Sequence, residues 1–204
     1  MILNILESLL VGVSIAAIPG PIFFELIRRT LAKGLHDGIF LVLGEFSGNF
    51  LLLLAIFFGL SQFLTNGTAE TVFFIVSGLI LIWVSNGAIR LEQSDVESNY
   101  DMKSPQSKGK SYVTGLTIAV TSPIVIALWV SLSNSYLKSI DNHFLAGVNI
   151  LFIALGFLVF FIPLAYFVYR TRHRIPPDKV VMLSKVFGTV LIAYALILFY
   201  QAVA

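Results

Sequence analysis

Two glutamates stand inside apolar stretches of this chain, and what surrounds them decides what chemistry they can do. Glu25 lies just ahead of a basic run; Glu45 sits in the next apolar segment, with Asn49 one turn further along the same face. A charge near a bilayer centre costs on the order of 2.5–3.5 kcal/mol on insertion scales. Each carboxyl must therefore face a wet cavity, hold a proton, or meet a cation. Glu25 has Arg28 and Arg29 three and four residues along its own face, so an ion pair is the plain alternative to a transport role. Glu45 has no basic neighbour in sequence and is the better candidate for carrying a proton.

The second feature is a pair of interruptions. Pro19-Gly20-Pro21 falls within one apolar segment and Ser122-Pro123 within another. Proline removes an amide donor and clashes with the preceding turn. The freed carbonyls, those of Ala16 and Ala17 among them, need partners that lipid cannot supply; the hydroxyls of Thr121 and Ser122 could refill bonds at the second break. Such breaks are tolerated where protein or a water-filled cavity surrounds them. Gly20-Pro21-Ile22-Phe23-Phe24 and Ser122-Pro123-Ile124-Val125-Ile126 lie 102 residues apart, half of the 204-residue chain. Interrupted helices at corresponding positions of two halves point to a binding site at mid-membrane. Two kinks that merely shape packing are the alternative.

The elements that hold these residues follow from composition. Of the chain, 57% is apolar and 12% charged, against about 25% charged in soluble domains, and the mean hydropathy is +0.92. An all-α integral membrane protein is expected, with six spans of roughly 20 residues: Leu3–Ile27, Gly38–Leu60, Thr71–Leu91, Tyr112–Leu137, Phe144–Tyr169 and Leu183–Val203. Residues 1–18 carry no Lys or Arg ahead of their apolar stretch and read as part of the first span rather than a cleaved signal. The connectors are 28–37, 61–70, 92–111, 138–143 and 170–182. Twelve of the thirteen Lys and Arg fall in or beside the first, third and fifth, and only Lys138 in the others. The positive-inside rule then puts those three connectors in the cytoplasm and both termini outside, in a plasma (cytoplasmic) membrane. The single transmembrane domain divides into a three-helix half (1–91), a polar cytoplasmic linker (92–111) that is the one stretch suited to disorder, and a second three-helix half (112–204). An odd number of spans per half makes the two halves inverted repeats, with helices 1 and 4 broken at prolines.

Other residues read more simply. Gly44, Ser47 and Gly48 would let a neighbouring helix approach closely. Asn4 and Glu7 are interfacial, and Tyr112, Tyr136, Tyr169 and Tyr200 suit interfacial belts. Trp83 and Trp129 read as deeper packing residues. Asn66-Gly67-Thr68 matches a glycosylation sequon on the outer side, but an Asn-Gly turn is by far the better reading. His36, His143 and His173 fall in connectors, and cysteine is absent, so no metal site, thiol chemistry or cofactor is expected. A net charge of +2 with no basic stripe gives no reason to expect nucleic acid. The chain has no HExxH, GxSxG or Walker motif, which disfavours an enzyme.

Pro19-Gly20-Pro21 with its Phe-rich turn, the run Arg28-Arg29-Thr30-Leu31-Ala32-Lys33-Gly34, the Gly44/Gly48 helix, the segment around Pro123 and Gly188-Thr189-Val190-Leu191 together resemble the lysine exporter (LysE/RhtB-type) family of amino-acid exporters. The resemblance covers the whole chain and is most specific over residues 12–60. It implies antiport-type export of an amino acid or similar small polar solute, driven by a proton or sodium gradient. Departures limit what carries over. Ile22 follows Pro-Gly-Pro where members often have Asn, and Ser122-Pro123-Ile124 replaces a frequent Asn-Pro-Lys. Asn49 occupies an often acidic position, with Glu45 one turn earlier. The resulting expectation is a secondary exporter whose path includes Pro19, Gly20, Pro21, Glu25, Glu45, Asn49, Ser122 and Pro123. Its partners would be a small-molecule substrate, a coupling proton or sodium ion and the lipid bilayer, and a homo-oligomer is compatible with the sequence. An inorganic-ion exporter would call for more carboxylate, Cys or His ligands at depth. A non-transporting membrane partner protein would pack both breaks dry.

Overall fold

A computed structural model describes residues 2–60, 67–100, 108–137, 140 and 142–203. These residues form helices and no strand: α1 (Ile2–Ala16), α2 (Pro21–Lys33), α3 (Leu35–Ala55), α4 (Gly67–Ile89), α5 (Gln93–Tyr100), α6 (Lys108–Thr121), α7 (Pro123–Ser135), α8 (His143–Arg172) and α9 (Pro177–Val203). After α3 the helix widens into a π-helical turn, Ile56–Leu60, containing Gly59 at φ 114°. Asn66 of the sequon, Lys103, Lys138 and the side chains of Asn4 and Pro123 lie outside the described residues.

Among the described residues, four segments are long and apolar enough to cross a bilayer unaided: Leu35–Leu60, Thr71–Ile89, His143–Arg172 and Pro177–Val203. Two further spans arise if each bent pair crosses once, α1 with α2 at 74° and α6 with α7 at 59°. Both bends fall at the expected interruptions. Pro21 and Pro123 each open a new helix, where the missing amide is one of the unpaired N-terminal donors in any case. The outer surface carries large exposed apolar side chains such as Leu51, Leu79, Phe167 and Leu196, a surface suited to lipid rather than water.

Packing rests on close approaches between helices. A Cβ on Gly115 of α6 would run into the Leu41 carbonyl of α3, and one on Gly44 of α3 into the Tyr112 carbonyl of α6. Gly12 of α1 and Gly156 of α8 meet in the same way: a Cβ on Gly156 would lie 2.6 Å from the Leu9 carbonyl. Small residues at such crossings allow the dense contact that drives helix association in lipid. The pairing of α4 with α9 adds hydroxyl bonds: Ser85 donates to the Gly188 carbonyl at 2.7 Å and Ser184 to the Ala88 carbonyl at 2.9 Å. Trp129, Phe157, Phe161, Leu26, Leu41 and Leu53 are buried in the central core.

Several sequence expectations need correction. The ten-residue connector 28–37 is almost entirely helical: α2 continues to Lys33 and α3 begins at Leu35, joined at Gly34 with φ 97°. Its arginines are not loop residues. Arg28 and Arg29 are buried, because Glu25, Ser111 and Thr114 satisfy their donors. At the fifth connector α8 likewise runs through Arg170 to Arg172. Part of the polar linker is ordered: Gln93–Tyr100 is helix α5, whose Val96 is buried with Leu31, Leu91 and Val180. His36 lies in the first turn of α3, and His143 opens α8. Trp83 is half exposed on α4 and is not a core packing residue.

Candidate functional site

At the break between α1 and α2 the chain runs through Ala17–Gly20 without helical structure. The carbonyls released there are partly taken up: the Ile18 amide reaches back to Ile15 at 3.1 Å, and the Gly20 carbonyl accepts from the Phe23 amide at 3.0 Å. The Tyr194 hydroxyl of α9 donates to the Pro19 carbonyl at 3.4 Å. At the second break Thr121 donates to Thr117 within its own helix at 2.6 Å. Ser122 caps α7 through its backbone, its carbonyl accepting from the Ile126 amide at 3.0 Å, and its side chain makes no cap bond.

The two breaks face one another across a cavity of about 60 Å³. Its walls include Pro19, Gly20, Pro21, Ser122, Glu45 and Asn49, closed by apolar side chains of α1, α6, α7 and α8. The N-termini of α2 and α7 both open onto it through their capping residues Gly20 and Ser122. Helix N-termini carry partial positive charge and free amides. Opposite them, on α3, Glu45 and Asn49 are buried at 2% and 1% exposure. The Glu45 Oε2 and Asn49 Nδ2 atoms have no hydrogen-bond partner, although the two side chains face one another. Asn49 is held by its other end: Trp129 Nε1 donates to its Oδ1 at 3.2 Å. Phe157 and Phe161, one turn apart on α8, wall the cavity, and the Trp129 ring packs on Phe157 at 5.7 Å between centroids. Buried polar atoms without partners are costly.

Glu25 is elsewhere. It is not among the residues lining the cavity. Its carboxylate accepts from Arg28 Nε at 2.8 Å and Nη2 at 2.6 Å, and from Arg29 Nε at 2.9 Å and Nη2 at 2.6 Å. Arg29 Nη1 also donates to Ser111 at 2.9 Å, and Ser111 donates onward to Asp37 at 2.5 Å. This network ties α2, α3 and α6 together. Of the expected path residues, the structure thus brings Pro19, Gly20, Pro21, Glu45, Asn49 and Ser122 to one cavity, with the backbone of Pro123 beginning the helix beside it.

Sequence reading missed Trp129 as the partner of Asn49, the two phenylalanines and Tyr194. A signal existed for one of them: Ser122, Val125 and Trp129 recur at helical spacing and share a face.

Comparison with known proteins gives the lineage. The LysE type translocator family matches residues 13–202. This chain belongs to that family. It is a multi-pass membrane protein of four to six spans. It is also similar to the "Putative amino acid efflux protein YcgF" of Bacillus subtilis (strain 168), with 23% identity over 204 residues covering 97% of this chain and 96% of that protein. No solved structure matches the chain. Family membership supports amino-acid export as the activity to be tested against the cavity.

Proposed function

We propose that this translocator is a secondary exporter of an amino acid or similar small polar solute, with the cavity between the two helix breaks as its central site. The observation that carries the reading is the pairing, in one cavity, of two half-helix N-termini with a buried carboxyl and amide that each leave one polar atom without a partner. An amino acid has the complementary groups: its carboxylate suits the backbone N–H groups of Gly20 and Ile22 and those at the start of α7, and its ammonium suits the Glu45–Asn49 side. Glu45 carries the coupling proton, exchanging it when the cavity opens to water. The mostly apolar wall favours an organic solute over a bare inorganic ion.

At about 60 Å³ the cavity has room for a few waters and not for an amino acid. Loading requires α2 or α7 to swing about its break, which the bends of 74° and 59° make the natural hinges. An inverted repeat is the arrangement we favour. Its support is the exchange of pairings: the first span packs by Gly12 of α1 on α8, the fifth, as the fourth packs by Gly115 of α6 on α3, the second. The third and sixth, α4 and α9, pair with each other. Lys33, Lys110, Arg28 and Arg29 gather at one end of the bundle, which supports that end facing the cytoplasm of a cytoplasmic membrane, with the termini outside.

The test uses inside-out vesicles holding the purified protein, an imposed pH gradient and a panel of radiolabelled amino acids. Gradient-dependent accumulation of at least one amino acid is expected. Folded protein that accumulates none would refute the reading, and accumulation driven by sodium alone would replace the proton as the coupling ion.

A further inference from the structure

A second cavity, of about 220 Å³, lies between α2, α4 and α6 and takes no part in the proposed path. Arg28, Arg29, Lys33 and Lys110 line it, together with Trp83 and Asn86, and no acidic side chain is among its lining residues in the described part of the chain. The arginines are committed on one side to Glu25, and Asp37 is engaged by Ser111. That leaves Lys33 and Lys110 with no ion pair among the described residues. Four cations against two nearby carboxylates make a site with excess positive charge. Arg28 and Arg29, buried at 3% and 4% exposure, share the single Glu25 carboxylate, so the described residues leave a net positive charge beside the cavity that an anion would offset.

The walls indicate its source. Trp83 is 51% exposed and ends an apolar row on the outer face of α4, Val72, Val76 and Leu79, set at three- and four-residue steps and all exposed. Asn86 continues the same face one turn beyond Trp83, and it is exposed as well. A soluble anion would have no use for that row, whereas acyl chains lie along such a surface and tryptophan favours the headgroup level. We propose that this cavity binds the phosphate of an anionic phospholipid, its chains running along the outer face of α4 and its phosphodiester held by Lys33 and Lys110, backed by the buried arginines. Basic pockets between spanning helices at the cytoplasmic side are suited to such headgroups. The volume accepts a phosphodiester with its glycerol and is below the roughly 300–1,000 Å³ of ordinary small-molecule clefts.

The experiment is native mass spectrometry and thermal unfolding of the full chain in neutral detergent, titrated separately with phosphatidylglycerol, phosphatidylcholine and inorganic phosphate. Wild type should retain one phosphatidylglycerol per chain and be stabilised by it, with phosphatidylcholine and phosphate far weaker. Lys33→Gln/Lys110→Gln should bind phosphatidylglycerol about thirtyfold more weakly, from about 1 kcal/mol per lysine. Lys179→Gln/Lys185→Gln, the same charge change at exposed lysines that do not line the cavity, should bind as wild type does. If the first double variant fails to fold, Lys110→Gln alone, at an exposed position, should still weaken binding about fivefold. Equal loss in both double variants would mean diffuse attraction, and no loss in the cavity variant would remove the site. Inorganic phosphate stabilising as well as the lipid would make it a site for soluble oxyanions. Each of these three results overturns the proposal.

Discussion

Glu25 and Glu45 are the same residue type, both are buried, and they sit in opposite kinds of surroundings. Glu25 is saturated by four donors from Arg28 and Arg29. Glu45 faces Asn49 and leaves one oxygen without a partner in a cavity bounded by two helix breaks. A fully bonded buried ion cluster is rigid and hard to discharge, because losing one member strands the others. An incompletely bonded group is the place where a ligand or a proton gains most. On this contrast we propose that Glu25 holds α2 against α3 and α6, while Glu45 serves transport.

The largest effect is expected where the saturated region is broken. Glu25→Ala strands two buried guanidinium groups and should cost about 3–5 kcal/mol of stability, read as loss of monodisperse protein or a sharply lower unfolding temperature. Should Glu25→Ala fold as wild type does and stop export, the two glutamates would have exchanged roles. Next comes the framework that presents Glu45. Gly115→Ala forces a methyl into the Leu41 carbonyl, four residues before Glu45, and should destabilise by about 1–3 kcal/mol while slowing transport. Unfolding temperature and uptake rate measured together check it; a change in neither would show that α3 and α6 can separate freely. Trp129→Phe keeps an aromatic ring but removes the indole donor to Asn49 and part of the buried volume, for about 1–2 kcal/mol. It should raise the half-saturating substrate concentration more than it lowers maximal uptake, because Asn49 then loses its fixed orientation. The smallest effect on folding belongs to Glu45→Gln, which keeps the shape and removes the acid, and should shift stability by less than about 1 kcal/mol.

How much of this the sequence carried differs along the chain. The breaks were legible because Pro19-Gly20-Pro21 and Ser122-Pro123 disrupt a helix through local chemistry alone, and local chemistry is what a sequence displays. Glu45 and Asn49 were legible as a polar pair at one-turn spacing. The fate of Arg28 and Arg29 was not: a run of basic residues reads as a connector, and only the folded chain brings Ser111 and Thr114 to them from more than eighty positions away. The faces of α8 and α9 that turn inward were hidden for another reason. These helices are apolar all round, so periodicity cannot mark Phe157, Phe161 or Tyr194. The helical order in Gln93–Tyr100 was masked by its polar composition, since Val96 is the one buried apolar anchor among its described side chains.

The most direct test of the account compares two assays on Glu45→Gln in proteoliposomes: exchange of labelled for unlabelled amino acid without a gradient, and accumulation driven by a pH gradient. The account predicts that exchange persists while gradient-driven accumulation is abolished, with Glu45→Asp recovering part of it. Accumulation at the wild-type level in Glu45→Gln would contradict the assignment of the coupling proton to this cavity.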